Sequence, residues 1–139
     1  MAGATFDTDT LRLMTLFENM TRAAPKDCIV DGNSVYFVVE EGKGGAAIGK
    51  NGSNVKRVEA AIKKDVKIFV FSSSLETFVK NMIPQANGVS VKAAEGGTIV
   101  EIKVDRGSKA MVIGRDGKNI KLFKELLRRN HNVDDLVVR

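Results

Sequence analysis

The chain has 139 residues, of which 43% are hydrophobic and 28% charged, a balance that predicts a packed core and excludes the low-apolar, highly charged composition of disorder. No stretch approaches the roughly 18 apolar residues of a membrane span, and the opening residues lack the basic-then-apolar order of a signal peptide, so a cytoplasmic protein with no membrane partner is expected. A single cysteine, Cys28, and a single histidine, His131, leave no internal disulfide and no ligand set for zinc or haem, so no cofactor or metal is expected.

In chain order, an amphipathic helix is predicted near 8–23, where Leu11, Met14, Phe17 and Met20 recur at helical spacing and Pro25 follows. Two β-rich runs near 28–31 and 34–40 flank Asp31-Gly32-Asn33, a turn-forming cluster suited to a hairpin. After Gly42 come a short helix, a glycine-bracketed break, a longer helix at 53–64 and a strand at 66–71. The order then recurs. A helix is predicted near 74–86, with Ser73 and Glu76 spaced as a capping box and Pro84 near its end. Strands near 89–94 and 98–104 flank Glu95-Gly96-Gly97, helices near 108–113 and 118–130 flank a second break, and a strand closes at 134–138. The predicted order is αββααβ, twice.

The recurrence is visible in the residues themselves. An offset of 65 lays GKGGAAIGKNGSNVKRVEAAIKK over GSKAMVIGRDGKNIKLFKELLRR without a gap, pairing Ile48 with Ile113, Gly49 with Gly114, Gly52 with Gly117, Asn54 with Asn119 and Lys56 with Lys121. Charge follows the same period. Residues 1–41 carry three basic and seven acidic side chains and residues 42–71 seven and two, whereas 72–105 carry three and four and 106–139 nine and four. Two separate basic blocks point to a polyanion partner, since a surface without one usually intersperses its signs.

Each basic block holds one of the breaks, Gly49-Lys50-Asn51-Gly52 and Gly114-Arg115-Asp116-Gly117. Glycine at both ends permits backbone conformations that other residues resist and removes side chains that would obstruct a sugar-phosphate backbone. The helix that follows is expected to present unpaired N–H groups and its positive dipole end to an anion at the same place. On that helix Val55, Val58 and Ile62 fall on one face, leaving Lys56, Arg57, Lys63 and Lys64 outside. In the second copy Ile120, Phe123 and Leu127 point inward and Lys118, Lys121, Lys124 and Arg128 outward.

Ile-Gly-x-x-Gly followed by Asn-Val-Lys or Asn-Ile-Lys, set between two helices, resembles the KH domain, and the αββααβ order resembles its type II variant. Two such units across essentially the whole chain resemble the archaeal NusA-like transcription factors. The resemblance implies an α+β fold of two tandem type II KH domains, at 1–72 and 73–139, each a three-stranded sheet packed on helices. It implies a non-catalytic factor of transcription elongation, termination or antitermination, a monomer that binds single-stranded RNA in the form of the nascent transcript, with RNA polymerase as a further partner. By the same resemblance each GxxG loop clamps about four nucleotides. The first clamp is then Gly49, Lys50, Asn51 and Gly52, with Ile48 and Val55 lining a base-holding groove and Lys56 near phosphate. The second is Gly114, Arg115, Asp116 and Gly117, with Ile113, Ile120 and Lys121 in those roles. Ser53 and Lys118, which open the following helices, complete the candidate set. Asp116 departs from the pattern, because its charge opposes phosphate unless the side chain turns away or caps the next helix. The short joint Ser72-Ser73-Ser74 suggests that both clamps serve one strand. The resemblance does not extend to the polymerase-binding and S1-type domains of bacterial NusA proteins.

Rival readings also have residues behind them. Gly44 to Lys50 fits the G-x-x-x-x-G-K part of a nucleotide-binding loop, but Asn51 stands where Ser or Thr would hold magnesium, and the second copy lacks the spacing. A protein-interaction module docking to RNA polymerase or the ribosome would use the acidic first segment, with Asp7, Asp9, Glu18, Asp27 and Asp31 as its surface. A general RNA- or single-stranded-DNA-binding KH protein outside transcription is the third alternative. With no Trp and one Tyr, base stacking is not expected to dominate recognition.

Overall fold

The computed structural model describes residues 6–139, with only the backbone described at Ala94; the first five residues of the expected first domain lie outside the described residues. Contacts divide the chain into two compact units, one ending at Ser72 and the other spanning Ser73–Arg139. The order αββααβ is present in both.

In the first unit, helix α1 (Thr8–Thr21) starts where the Asp7 carboxylate accepts the Thr10 N–H at 2.7 Å. That bond satisfies one of the donors a helix start leaves open and holds the Asp7 carboxyl below its ordinary range. The helix stops two residues short of the expected end because Arg22 takes the left-handed conformation, φ 63°, and its N–H returns to the Glu18 carbonyl at 2.7 Å. Phe17 is fully buried and stacks on Phe37 with ring centroids 4.1 Å apart. Leu13, Met14 and Met20 pack around it. Leu11, expected on this face, is 49% exposed. Six residues at 3.6 per turn carry it roughly 120° away from Phe17, whereas Leu13, Met14 and Met20 stay within roughly 60°.

Strands β1 (Pro25–Asp31) and β2 (Ser34–Val39) form the expected hairpin, closed by Asp31 opposite Ser34 across Gly32-Asn33. Gly32 has φ 58°, the left-handed backbone that a tight two-residue loop requires at its first position. β1 begins three residues earlier than expected and takes up the excess in a register shift between Pro25 and Asp27. β3 (Asp65–Val70) pairs parallel to β2, giving the order β1-β2-β3. Val35, Phe37 and Val39 of the central strand meet Ala47 of α2 (Gly44–Ile48) and Val58 of α3 (Ser53–Ile62), all essentially buried. At about 1.5–3 kcal/mol per fully buried large apolar side chain, this layer is what holds α2 and α3, and the break between them, against the sheet.

The second unit repeats the scheme around Phe78, fully buried on α4 (Leu75–Met82). The cap of α4 is Ser74, whose hydroxyl accepts the Thr77 N–H at 3.3 Å; the expected pair of Ser73 and Glu76 is out of step by one residue. The helix ends four residues before the expected 86, because Ile83 precedes Pro84 and is forced out of helical space to φ −127°, ψ 80°. β4 (Gly88–Ala94) pairs antiparallel with β5 (Gly97–Lys103), and β6 (Asp135–Val138) pairs parallel to β5. α5 (Arg106–Ile113) and α6 (Lys118–His131) complete the unit, with Leu122, Phe123, Leu126 and Leu127 turned to the core.

The internal repeat has one gap that its glycine-rich half conceals. Val35 and Val100, at offset 65, face Val30 and Val91 across their hairpins, and those two lie 61 apart. The central phenylalanines of α1 and α4, Phe17 and Phe78, are also 61 apart. The second hairpin extends two residue pairs further, from Val91↔Val100 to Ala94↔Gly97, where the first has only Asp31↔Ser34 beyond Val30↔Val35. The lengthening leaves the helix-break-helix segment of each unit unchanged.

Candidate nucleic-acid interface

The two breaks adopt one backbone geometry. Gly49 and Gly114 have φ/ψ of 77°/168° and 78°/169°, Asn51 and Asp116 have 55°/29° and 56°/24°, and Gly52 and Gly117 have 73°/18° and 74°/18°. The first glycine therefore lies in a region essentially closed to other residues, and the third and fourth positions are left-handed. Asparagine and aspartate are the side-chain-bearing residues that tolerate that conformation best, which accounts for Asn51 and Asp116 at equivalent places.

The glycines do different work. A Cβ on Gly49 would stand 2.8 Å from the Asn54 backbone nitrogen and 2.8 Å from Ser53 Oγ, and one on Gly114 would stand 2.9 Å from the Asn119 nitrogen. Their bare side faces the next helix, so internal packing, not a ligand, demands glycine there. At Gly52 a Cβ would meet nothing within 4 Å, and at Gly117 only Ile120 Cγ2 at 3.6 Å. The side-chain direction is open at the second glycine of each loop and closed at the first, whereas the sequence suggests open approach at both.

The backbone donors are also fewer than the sequence suggests. The Gly52 N–H is spent on the Gly49 carbonyl at 3.1 Å and the Ser53 N–H on the Lys50 carbonyl, closing a 3₁₀ turn. Gly117 and Lys118 repeat both bonds. Attraction for an anion thus depends more on side chains. The side chains of Lys50 and Lys56 in the first unit and of Arg115 and Lys121 in the second are exposed and make no hydrogen bond or ion pair with any described residue. Asp116 is exposed too, and its side chain makes no hydrogen bond or ion pair with any described residue, so it does not cap α6.

Several other cations of the second unit are engaged. Lys124 pairs with Asp135 at 3.1 Å, Arg128 with Glu125 at 2.7 Å, and Glu101 holds Lys92 at 3.1 Å and Arg139 at 2.6 Å. Hydrogen bonds from Lys124, Arg128 and Lys92 hold the Asp135, Glu125 and Glu101 carboxyls below their ordinary range. These cations are less available to a polyanion than the loop residues.

Of the candidate groove residues, Ile48 is 39% exposed at the end of α2, while Val55 packs half-buried against the core. Ile113 and Ile120 are both half-buried at the matching places, and Ser53 and Lys118 open their helices exposed. Sequence reasoning passed over Met111, whose side chain is 58% exposed on α5. It also assigned no role to Asn54 and Asn119. Asn54 Nδ2 donates to the Ala46 carbonyl at 2.7 Å and its Oδ1 accepts from Arg57 at 3.3 Å. Asn119 Nδ2 donates to the Met111 carbonyl at 3.0 Å. The signal was present in the repeat, which pairs the two asparagines.

The acidic surface of the rival docking reading loses one member. Asp27 is 1% exposed, with Oδ1 accepting the Cys28 N–H at 2.8 Å, whereas Asp7, the α1 cap, stays exposed.

These loops lie within sequence spans that match known families: the KH domain family over residues 13–73 and the NusA-like second KH domain over residues 75–136. The crystal structure of APE1850 superposes with a TM-score of 0.78 at 33% identity, covering 96% of this chain and all of that one. Proteins bearing the name probable transcription termination protein NusA match along most of their length. The one from Halococcus morrhuae is 35% identical over 91% of both chains, that from Halobacterium salinarum 36% identical over 90% of this chain and 91% of its own, and that from Methanocaldococcus jannaschii 31% identical over 99% of this chain and 76% of its own. The chain belongs to the NusA-like family of tandem KH proteins.

Proposed function

We propose that this chain is a non-catalytic RNA-binding factor of transcription elongation, termination or antitermination, working in the cytoplasm on the nascent transcript with RNA polymerase as a further partner. The domains at 1–72 and 73–139 each contribute one GxxG loop that grips the strand's backbone. The observation that carries the reading is the duplicated loop itself: an open second glycine beside exposed, unpaired Lys50 and Lys56, matched by Arg115 and Lys121. The name carried by the archaeal relatives supports the transcriptional setting. The nucleotide-loop resemblance of Gly44 to Lys50 loses its force, because Gly44–Ile48 is a helix and a Cβ on Gly44 would stand 2.6 Å from Val70 Cγ2 of β3. Gly44 serves packing. Filter binding of single-stranded RNA over a salt series, with ATP turnover measured in parallel, tests the proposal. Four to six phosphate contacts give a log–log salt slope of about −3 to −4 for a single strand. Salt-insensitive binding, or ATP turnover, contradicts it.

Asp116 gives the reading a finer edge. Asn51 shows that asparagine fits the same left-handed position at φ 55°. Asp116→Asn is therefore expected to leave the fold intact and to tighten RNA binding about three- to fivefold at low salt. The figure corresponds to removing one like charge about 6 Å from a phosphate in a largely aqueous dielectric, and it shrinks as salt screens the charge. Competition binding of wild type and variant at two salt concentrations reads it directly.

A further inference from the structure

We infer that Asn54 and Asn119 are positioning residues, each stapling its GxxG loop into the strand-gripping shape before RNA arrives; the inference rests on the proposed RNA-binding role and deepens it. A helix leaves its last carbonyls without intrahelical partners, and α2, five residues long, ends directly at the loop. Asn54, from the first turn of the following helix, reaches back across the loop and gives its Nδ2 to one of those carbonyls, Ala46 O, at 2.7 Å. In the second unit Asn119 does the same to Met111 O at 3.0 Å, again eight residues back. The backbone nitrogen and side chain of each asparagine occupy the space where a Cβ on the first glycine would go, at 2.8–2.9 Å. Glycine and asparagine thus form one closed unit.

Comparison of the two copies singles out the asparagine as the shared side-chain tether. Their loops carry Lys-Asn in one case and Arg-Asp in the other, and they are followed by Ser53 and Lys118, yet the backbone angles at the three positive-φ positions agree within 5°. Besides the flanking Ile48/Ile113 and Lys56/Lys121, the copies share the glycine pair, the backbone bonds that close the turn and the asparagine amide, and of these only the amide is a side-chain bond that ties the following helix to the preceding one. Three of four loop residues sit at positive φ, a conformation an untethered segment would leave for most of the time. Holding it in the free protein removes an ordering cost from the binding step.

The test uses the full chain with Asn54→Leu and Asn119→Leu, singly and together, which keep approximate side-chain size, add no charge and delete the donor. Asn54→Ala and Asn119→Ala serve as second variants should leucine disturb packing, and in each single variant the intact unit is an internal control. Amide hydrogen exchange and 15N relaxation of the RNA-free protein report on Gly52 and Ser53, or Gly117 and Lys118, whose N–H groups close the turn. Expected are faster exchange and lower order in the altered loop only, with RNA affinity reduced about 3- to 10-fold per loop, the worth of one hydrogen bond, and an unchanged salt slope. Three results overturn the proposal: weaker binding with loop order unchanged, which makes the asparagine a direct RNA contact; a loosened loop with affinity unchanged, which makes the staple irrelevant to binding; or no change in either. If the wild type itself fails to bind RNA, the RNA-binding reading falls separately, and the relaxation measurement alone decides whether the asparagines order the loops.

Discussion

Lys50→Asp with Asn51→Asp in the first loop, combined with Arg115→Asp beside the existing Asp116 in the second, is expected to weaken single-stranded RNA binding by about 100-fold or more while leaving the protein folded. The retained fold follows from the second unit, where aspartate already occupies the left-handed position at φ 56°. The Lys50 and Arg115 side chains are exposed and make no hydrogen bond or ion pair with any described residue, and the turn-closing bonds to their carbonyls survive the substitution. The loss of binding follows from charge. The three substitutions shift five units of charge toward negative at the two places where phosphate would approach the bare glycines. Each unit is worth about 0.5–1 kcal/mol at 5–6 Å in an aqueous dielectric. Each loop altered alone is expected to give a partial loss, larger for the first, which begins without an opposing carboxylate. Titration of each variant with labelled RNA at fixed salt, alongside circular dichroism, separates binding from folding.

Gly49→Ala and Gly114→Ala are expected to destabilise their units by about 2–4 kcal/mol each, whereas Gly52→Ala costs about 1–2 kcal/mol. At Gly49 two penalties combine: the backbone lies at φ 77°, ψ 168°, and the new methyl would stand 2.8 Å from the Asn54 backbone nitrogen. At Gly52 the backbone is left-handed but the methyl enters open space. Against a typical domain stability of about 5–15 kcal/mol, the first change removes a large share and the second leaves a folded protein. Denaturant melts rank the three variants. Equal losses at Gly49 and Gly52 would show that packing against α3 does not govern the first glycine.

The contrast between those glycines shows where sequence reading ran out. Periodicity and the 65-residue offset made the architecture legible, including both breaks and the basic helices behind them. Spacing does not reveal which way a Cα faces, so both glycines of a loop looked equally open until backbone direction was known. Leu11 was misplaced because an i, i+3 series drifts around a helix of 3.6 residues per turn, and the α4 cap was misplaced because three adjacent serines offer equivalent starts. Asp27 reads as surface because acidic residues usually are, and burial against the Cys28 N–H leaves no trace in composition. Asn54 and Asn119 were visible as a pair in the repeat, but a bond to a carbonyl eight residues back has no short-range signature.

The central claim is that an RNA strand lies against the two loops. Titrating the 15N-labelled protein with a short single-stranded RNA and following amide shifts reads it most directly. The account predicts saturable shifts concentrated at residues 48–56 and 113–121. Saturable binding with those amides unmoved, and shifts gathered on the outer face of α1 or along the sheets, would contradict it.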